Sequence, residues 1–96
     1  MAIHPTAIVD PKAEIAGDVE IGPYCCIGPN VRIGPGCVLR ERVSIEGCVT
    51  MGARNQVFAN ACIGFAPQDL KYEDAPTSVE IGDDNLIREF VTIHRG

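Results

Sequence analysis

A large aliphatic residue returns at every sixth position of this chain. The series runs Ile3, Val9, Ile15, Ile21, Ile27, Ile33, Leu39, Ile45, Met51, Val57, Ile63 and, after an interruption, Ile81, Ile87 and Ile93. Six fits neither the 3.6-residue period of a helix nor the two-residue alternation of a half-buried strand. It is the period of a hexapeptide-repeat parallel β-helix, in which each hexad makes one short strand and one corner.

Four residues after each aliphatic the side chain is mostly small or β-branched: Ala7, Ala13, Val19, Cys25, Val31, Cys37, Val43, Val49, Ala61 and Val91, with Asn55, Pro67 and Asn85 as departures. Three hexads, 18 residues, bring the chain back to its start. Successive coils then lie about 4.8 Å apart, the spacing of neighbouring strands. Ile3, Ile21, Leu39 and Val57 stack along one edge of a triangular prism. Val9, Ile27, Ile45 and Ile63 stack along the second, and Ile15, Ile33 and Met51 along the third. The expected fold is all-β, one domain over residues 1–96 with about five coils. Glycine often follows the aliphatic (Gly22, Gly28, Gly34, Gly52, Gly64, Gly82), as a sharp corner that needs positive φ would favour. Pro23, Pro29 and Pro35 follow three of these glycines and belong in corners, because proline cannot donate to a ladder.

Thirteen acidic residues against eight basic ones give a net charge of −5, which argues against a nucleic-acid partner. No stretch reaches the roughly 20 apolar residues of a membrane span. Met1 to Asp10 lacks the basic and apolar regions of a secretory signal, so cytoplasmic residence is the expectation. The five cysteines form no CxxC or CxxH pair, so neither a disulfide scaffold nor a metal site is expected. Cys25 and Cys37 fall on the inward position as small hydrophobes. Asn55 and Asn85 share that position, where an asparagine ladder inside the helix satisfies itself.

The ladder breaks once. Position 69 should be aliphatic and is Asp69, within a polar stretch that cannot sit inside the prism. Residues 67–77 read as a loop thrown outward from a corner, with the frame resuming at Ala75 and Val79. Long loops on repeat scaffolds are often functional. The chain stops within a hexad at His94, Arg95 and Gly96, and no capping segment covers the last coil. The expectation is a part of a longer protein.

The ladder resembles the hexapeptide acyltransferases as a superfamily, which implies a left-handed winding. The stretches Gln68-Asp69-Leu70-Lys71-Tyr72, Pro76-Thr77, Glu80-Ile81-Gly82-Asp83, Ile87-Arg88-Glu89 and Val91-Thr92-Ile93-His94-Arg95-Gly96 are more specific. Together with His4-Pro5-Thr6-Ala7-Ile8-Val9 they resemble the UDP-N-acetylglucosamine O-acyltransferase family of lipid A biosynthesis, over its N-terminal part. The resemblance implies transfer of a 3-hydroxyacyl chain from acyl carrier protein to the 3-hydroxyl of UDP-N-acetylglucosamine. It implies no cofactor, a homotrimer, and active sites between subunits. Gln68, Asp69, Lys71 and His94 match substrate-contacting positions of the family. Its general-base histidine lies in a coil beyond residue 96, so the chain alone is expected to be inactive.

His4 is expected to be a solvated corner residue, and Arg88, Glu89 and Arg95 ordinary corner charges. Three other readings stay open on the residues alone. One is a different hexapeptide acetyltransferase acting on an amino-sugar nucleotide. Another is a metal-dependent hexapeptide carbonic anhydrase, which needs three histidine ligands where this chain has His4 and His94. The last is a non-catalytic, self-assembling β-helix segment.

Overall fold

The computed structural model describes residues 2–65 and 78–94. The fourteen strands among these residues wind as a left-handed parallel β-helix. The first sheet stacks β1 (Ala2–Ile3), β4 (Glu20–Ile21), β7 (Val38–Leu39), β10 (Gln56–Val57) and β13 (Leu86–Ile87). The second stacks β2 (Ile8–Val9), β5 (Cys26–Ile27), β8 (Ser44–Ile45), β11 (Cys62–Phe65) and β14 (Thr92–His94). The third stacks β3 (Glu14–Ile15), β6 (Val31–Ile33), β9 (Cys48–Met51) and β12 (Ser78–Ile81). Every third strand is a neighbour, as the three-edged prism requires. The register aligns Ile3 with Ile21, Ile21 with Leu39, and Leu39 with Val57, so the aliphatic columns are those read from the hexads.

The interior is built of those aliphatics and the small residues between them. Ile45, Val57 and Ile63 are fully buried, as are Val19, Cys25, Cys37, Val43 and Ala61. Each buried aliphatic contributes roughly 1.5–3 kcal/mol. Burial fades toward the first coil, where Ile3 keeps 40% of its surface exposed while Ile21, directly above it, keeps 2%. An inner layer is covered from both sides, a terminal one from a single side.

Polar interior positions share one arrangement. The Cys25 thiol donates to the Arg40 carbonyl at 2.9 Å, and the Cys37 thiol to the Gly52 carbonyl at 3.1 Å. Arg40 and Gly52 each directly follow an inward aliphatic, one corner of the next coil up. Asn55 repeats this relation, its Nδ2 donating to the Gly82 carbonyl at 2.7 Å, while its Oδ1 accepts the Asn85 backbone N–H at 2.8 Å. Asn55 is wholly buried. The expected asparagine ladder is therefore corrected: Asn55 is satisfied by backbone, and Asn85 takes part through its own amide N–H while the residue itself is exposed.

The corners also differ from expectation. Positive φ falls three residues after the aliphatic, not one: Tyr24, Arg42, Arg54, Asn60, Asp84 and Phe90 all lie between 56° and 65°. That conformation turns the N–H back onto the preceding coil. Arg42 donates to the Pro23 carbonyl, Arg54 to Pro35 and Asp84 to Ala53, each at 2.8–2.9 Å. The glycines directly after the aliphatics serve close approach instead. A Cβ on Gly34 would stand 2.6 Å from the Gly52 carbonyl oxygen, and one on Gly22 2.8 Å from that of Arg40. Among these glycines only Gly64 has positive φ.

The strand register locates the interruption. Val49 pairs with Val31, 18 residues back, whereas Val79 pairs with Val49 across 30. Twelve extra residues therefore enter between Phe65 and Ser78, and the frame resumes at Val79 as read from the sequence. The expected loop over 67–77 lies outside the described residues.

Candidate functional site

Both ends of segment 66–77 emerge at one corner, between the second and third sheets. Three strands of the second sheet, β2, β5 and β8, are two residues long and end on their inward aliphatic. β11 instead continues through Gly64 to Phe65, and β14 through Ile93 to His94. Their pairing shifts register on the way: Ile63 aligns with Ile93, but Phe65 aligns with His94. Gly64 is thus the extra residue of a β-bulge, with φ of +85°. A glycine in that conformation is a common bulge residue, and a bulge re-aims the residues downstream of it. On the other side, Gly47, at φ +79°, turns the chain from β8 into β9. β9 then receives the returning segment, Cys48 aligning with Ser78.

Of the residues proposed from sequence for substrate contact, Gln68, Asp69 and Lys71 lie outside the described residues, as do Leu70 and Tyr72. His94 is described through its backbone, as the last residue of β14 aligned with Phe65. The structure thus brings His94 to the strand from which the Gln68–Lys71 stretch departs.

His4 is the exposed corner residue that was expected. Its Nδ1 accepts the Thr6 backbone N–H at 3.2 Å and lies 2.8 Å from the Thr6 hydroxyl, which in turn accepts the Tyr24 N–H. Arg88 and Glu89 form an exposed pair at 3.1 Å, of the kind that adds little stability. Arg88 also stacks over Phe58, 4.3 Å from the ring centroid. Arg95 lies outside the described residues.

Two charged or titratable features belong to the scaffold. Arg54 holds Asp84 through two bonds of 2.7 and 3.0 Å, which keep that carboxyl below its usual range. Burial pushes the Cys25 thiol up, so it stays protonated as the donor to Arg40. All five cysteines are free, and Cys48 is exposed where segment 66–77 returns. Two open depressions are found among the described residues. One of about 580 Å³ lies over β1, β4 and β7, lined by His4, Glu20, Arg40 and Glu41. The other, of about 400 Å³, is lined by Lys12, Glu14, Arg32 and Cys48.

Sequence reasoning missed the bulge. Its signal was present, however. Pro follows Gly22, Gly28 and Gly34, Ala follows Gly52 and Asp follows Gly82, whereas Gly64 is followed by an aromatic, Phe65.

The repeat, the triangular winding and the interrupted corner define the class: a hexapeptide-repeat β-helix. Residues 2–35 match the family model described as bacterial transferase hexapeptide (six repeats). Within that class the chain is similar, along its whole length, to the N-terminal part of the acyl-[acyl-carrier-protein]–UDP-N-acetylglucosamine O-acyltransferases. It is 58% identical, over its full 96 residues, to the enzyme of that name from Syntrophobacter fumaroxidans, covering 37% of it. The solved structure of LpxA from Acinetobacter baumannii superposes with a TM-score of 0.96 at 51% identity, over 100% of this chain and 37% of that one. UDP-N-acetylglucosamine O-acyltransferase (LpxA) from Moraxella catarrhalis gives a TM-score of 0.94 at 52% identity with the same coverage. The chain therefore spans little more than a third of the length of these relatives.

Proposed function

We propose that this chain is the N-terminal part of an acyltransferase that moves a 3-hydroxyacyl group from acyl carrier protein to the 3-hydroxyl of UDP-N-acetylglucosamine. The likeness to enzymes of that name along the whole chain carries the reading. In this reaction a base removes the sugar hydroxyl proton as the oxygen attacks the thioester carbonyl. The C–O bond forms, the C–S bond breaks, and the carrier's thiol leaves with a proton.

Gln68, Asp69, Lys71 and His94 supply the acceptor-side contacts. A carboxylate accepts from sugar hydroxyls, an amide both donates and accepts, and an ammonium is a donor point charge. An imidazole both donates and accepts, and orients such groups without being the base. The base comes from outside these 96 residues, and the working assembly is a homotrimer. Acyl carrier protein, being acidic, docks on a basic surface outside this chain of net charge −5.

Isothermal titration with UDP-N-acetylglucosamine, paired with a turnover assay using 3-hydroxyacyl carrier protein, tests the proposal. The chain is expected to bind the nucleotide sugar without turning it over, and Asp69→Asn and Lys71→Ala to weaken binding about tenfold or more, as loss of a charged hydrogen bond does. Turnover by the 96-residue chain contradicts the external base. Unchanged affinity in both variants contradicts the assigned contacts.

A further inference from the structure

Everything from Ser78 onward is tied to the coils below through a 30-residue step, where 18 residues serve lower down. The first corner turned after that step is Gly82 to Asn85. It is bonded to the corner beneath it, Gly52 to Asn55, through four side chains, Arg54, Asn55, Asp83 and Asp84. Asp83 Oδ1 accepts the Ala53 N–H at 2.6 Å. The Asp84 carboxylate accepts from Arg54 Nε and Nη2 at 2.7 and 3.0 Å. Asn55, inside the prism, donates to the Gly82 carbonyl and accepts the Asn85 N–H. Lower on the same edge, among the described residues, a single side chain crosses at each level: Asp18 accepts the Gly36 N–H, and Cys37 donates to the Gly52 carbonyl. Gly52 makes room for the denser arrangement, since a Cβ there would overlap Asp83 Oδ1.

We propose that these four side chains form a latch that holds the coil entered at β12 onto the coils below it. In a solenoid each coil is stabilised by its neighbours, and closing a longer step costs more chain entropy. The coil after the 30-residue step therefore depends most on bonds at its own interface. The exposed Arg54–Asp84 pair contributes little alone. Its role is to keep the Gly82–Asn85 turn where the buried Asn55 meets both backbone partners. If the turn shifts, Asn55 loses both at once, so the exposed and buried halves act together. β13 and β14, with His94, follow directly on the part so held. The latch stands on the bonding at this corner and does not depend on the acceptor reading.

Amide exchange followed by NMR tests it. The N–H groups of Gly52, Gln56 and Phe58 donate to the carbonyls of Ile81, Asn85 and Ile87, so their exchange reports opening of the upper coil. Those of Glu20 and Gly22, bonded to Cys37 and Leu39, report the lower coils. Arg54→Asp sets carboxylates against one another across the corner. It is expected to speed exchange at Gly52, Gln56 and Phe58 at least about tenfold relative to Glu20 and Gly22, the scale of a lost charged hydrogen bond. Adding Asp84→Arg re-forms the pair with its charges exchanged, and is expected to return the ratio to within about threefold of the unmodified chain. A ratio unchanged by Arg54→Asp, a ratio not restored by the exchanged pair, or equal acceleration at Glu20 and Gly22 overturns the latch. If Arg54→Asp does not fold, Asp83→Ala decides. It removes only the acceptor of the Ala53 N–H and is expected to give the same selective acceleration, whose absence overturns the latch.

Discussion

Asn55 shows how a narrow interior admits a polar side chain. It occupies a slot that elsewhere holds Val, Ala or Cys, and it survives there because two backbone groups of the next coil meet its amide. Cys25 and Cys37 make the donor half of the same arrangement. Asn55→Val puts in a residue that fills this slot in other coils and removes both bonds, and is expected to cost about 1–3 kcal/mol. Asn55→Cys keeps a donor for the Gly82 carbonyl and is expected to cost less. Urea unfolding of the two variants checks the order, and equal losses would contradict the capping role. The sequence marked Asn55 as exceptional. Its partners were hidden because Gly82 and Asn85 lie beyond the twelve-residue insertion.

At the scale of the corner, one hexad position hides several environments. Gly28 and Gly34 both follow an inward isoleucine and precede a proline. A Cβ on Gly28 would meet the next coil at an ordinary 3.5 Å, while on Gly34 it would be driven to 2.6 Å from a backbone oxygen that cannot move without its coil. Gly34→Ala is therefore expected to destabilise by about 1–3 kcal/mol through overpacking. Gly28→Ala is expected to leave stability unchanged within about 0.5 kcal/mol. Thermal denaturation distinguishes them, and similar melting temperatures would contradict the close-approach account. The hexads showed where each corner lies but not its dihedral pattern. Positive φ sits on Tyr24 and Phe90, residues that local propensity would not select, because coil-to-coil hydrogen bonding overrides propensity there.

Across the molecule, the stacking columns, the three sheets and the point of interruption were all legible, since a strict six-residue period leaves one way to close the prism. The candidate site was legible only through motif likeness. Asp69 broke the frame and His94 sat far downstream, and the strand that His94 pairs with could not be named without knowing that thirty residues separate neighbouring strands at this corner. The fold supplies that pairing: β14 lays His94 against Phe65, the last described residue before Gln68, Asp69 and Lys71. The proposed function requires this corner to be where the acceptor binds. Backbone amide NMR during titration with UDP-N-acetylglucosamine puts that to the test. The largest shifts are expected at Gly64, Phe65, Ser78 and His94. Shifts confined to the depression lined by His4, Glu20 and Arg40, with the Gly64–His94 corner silent, would contradict it.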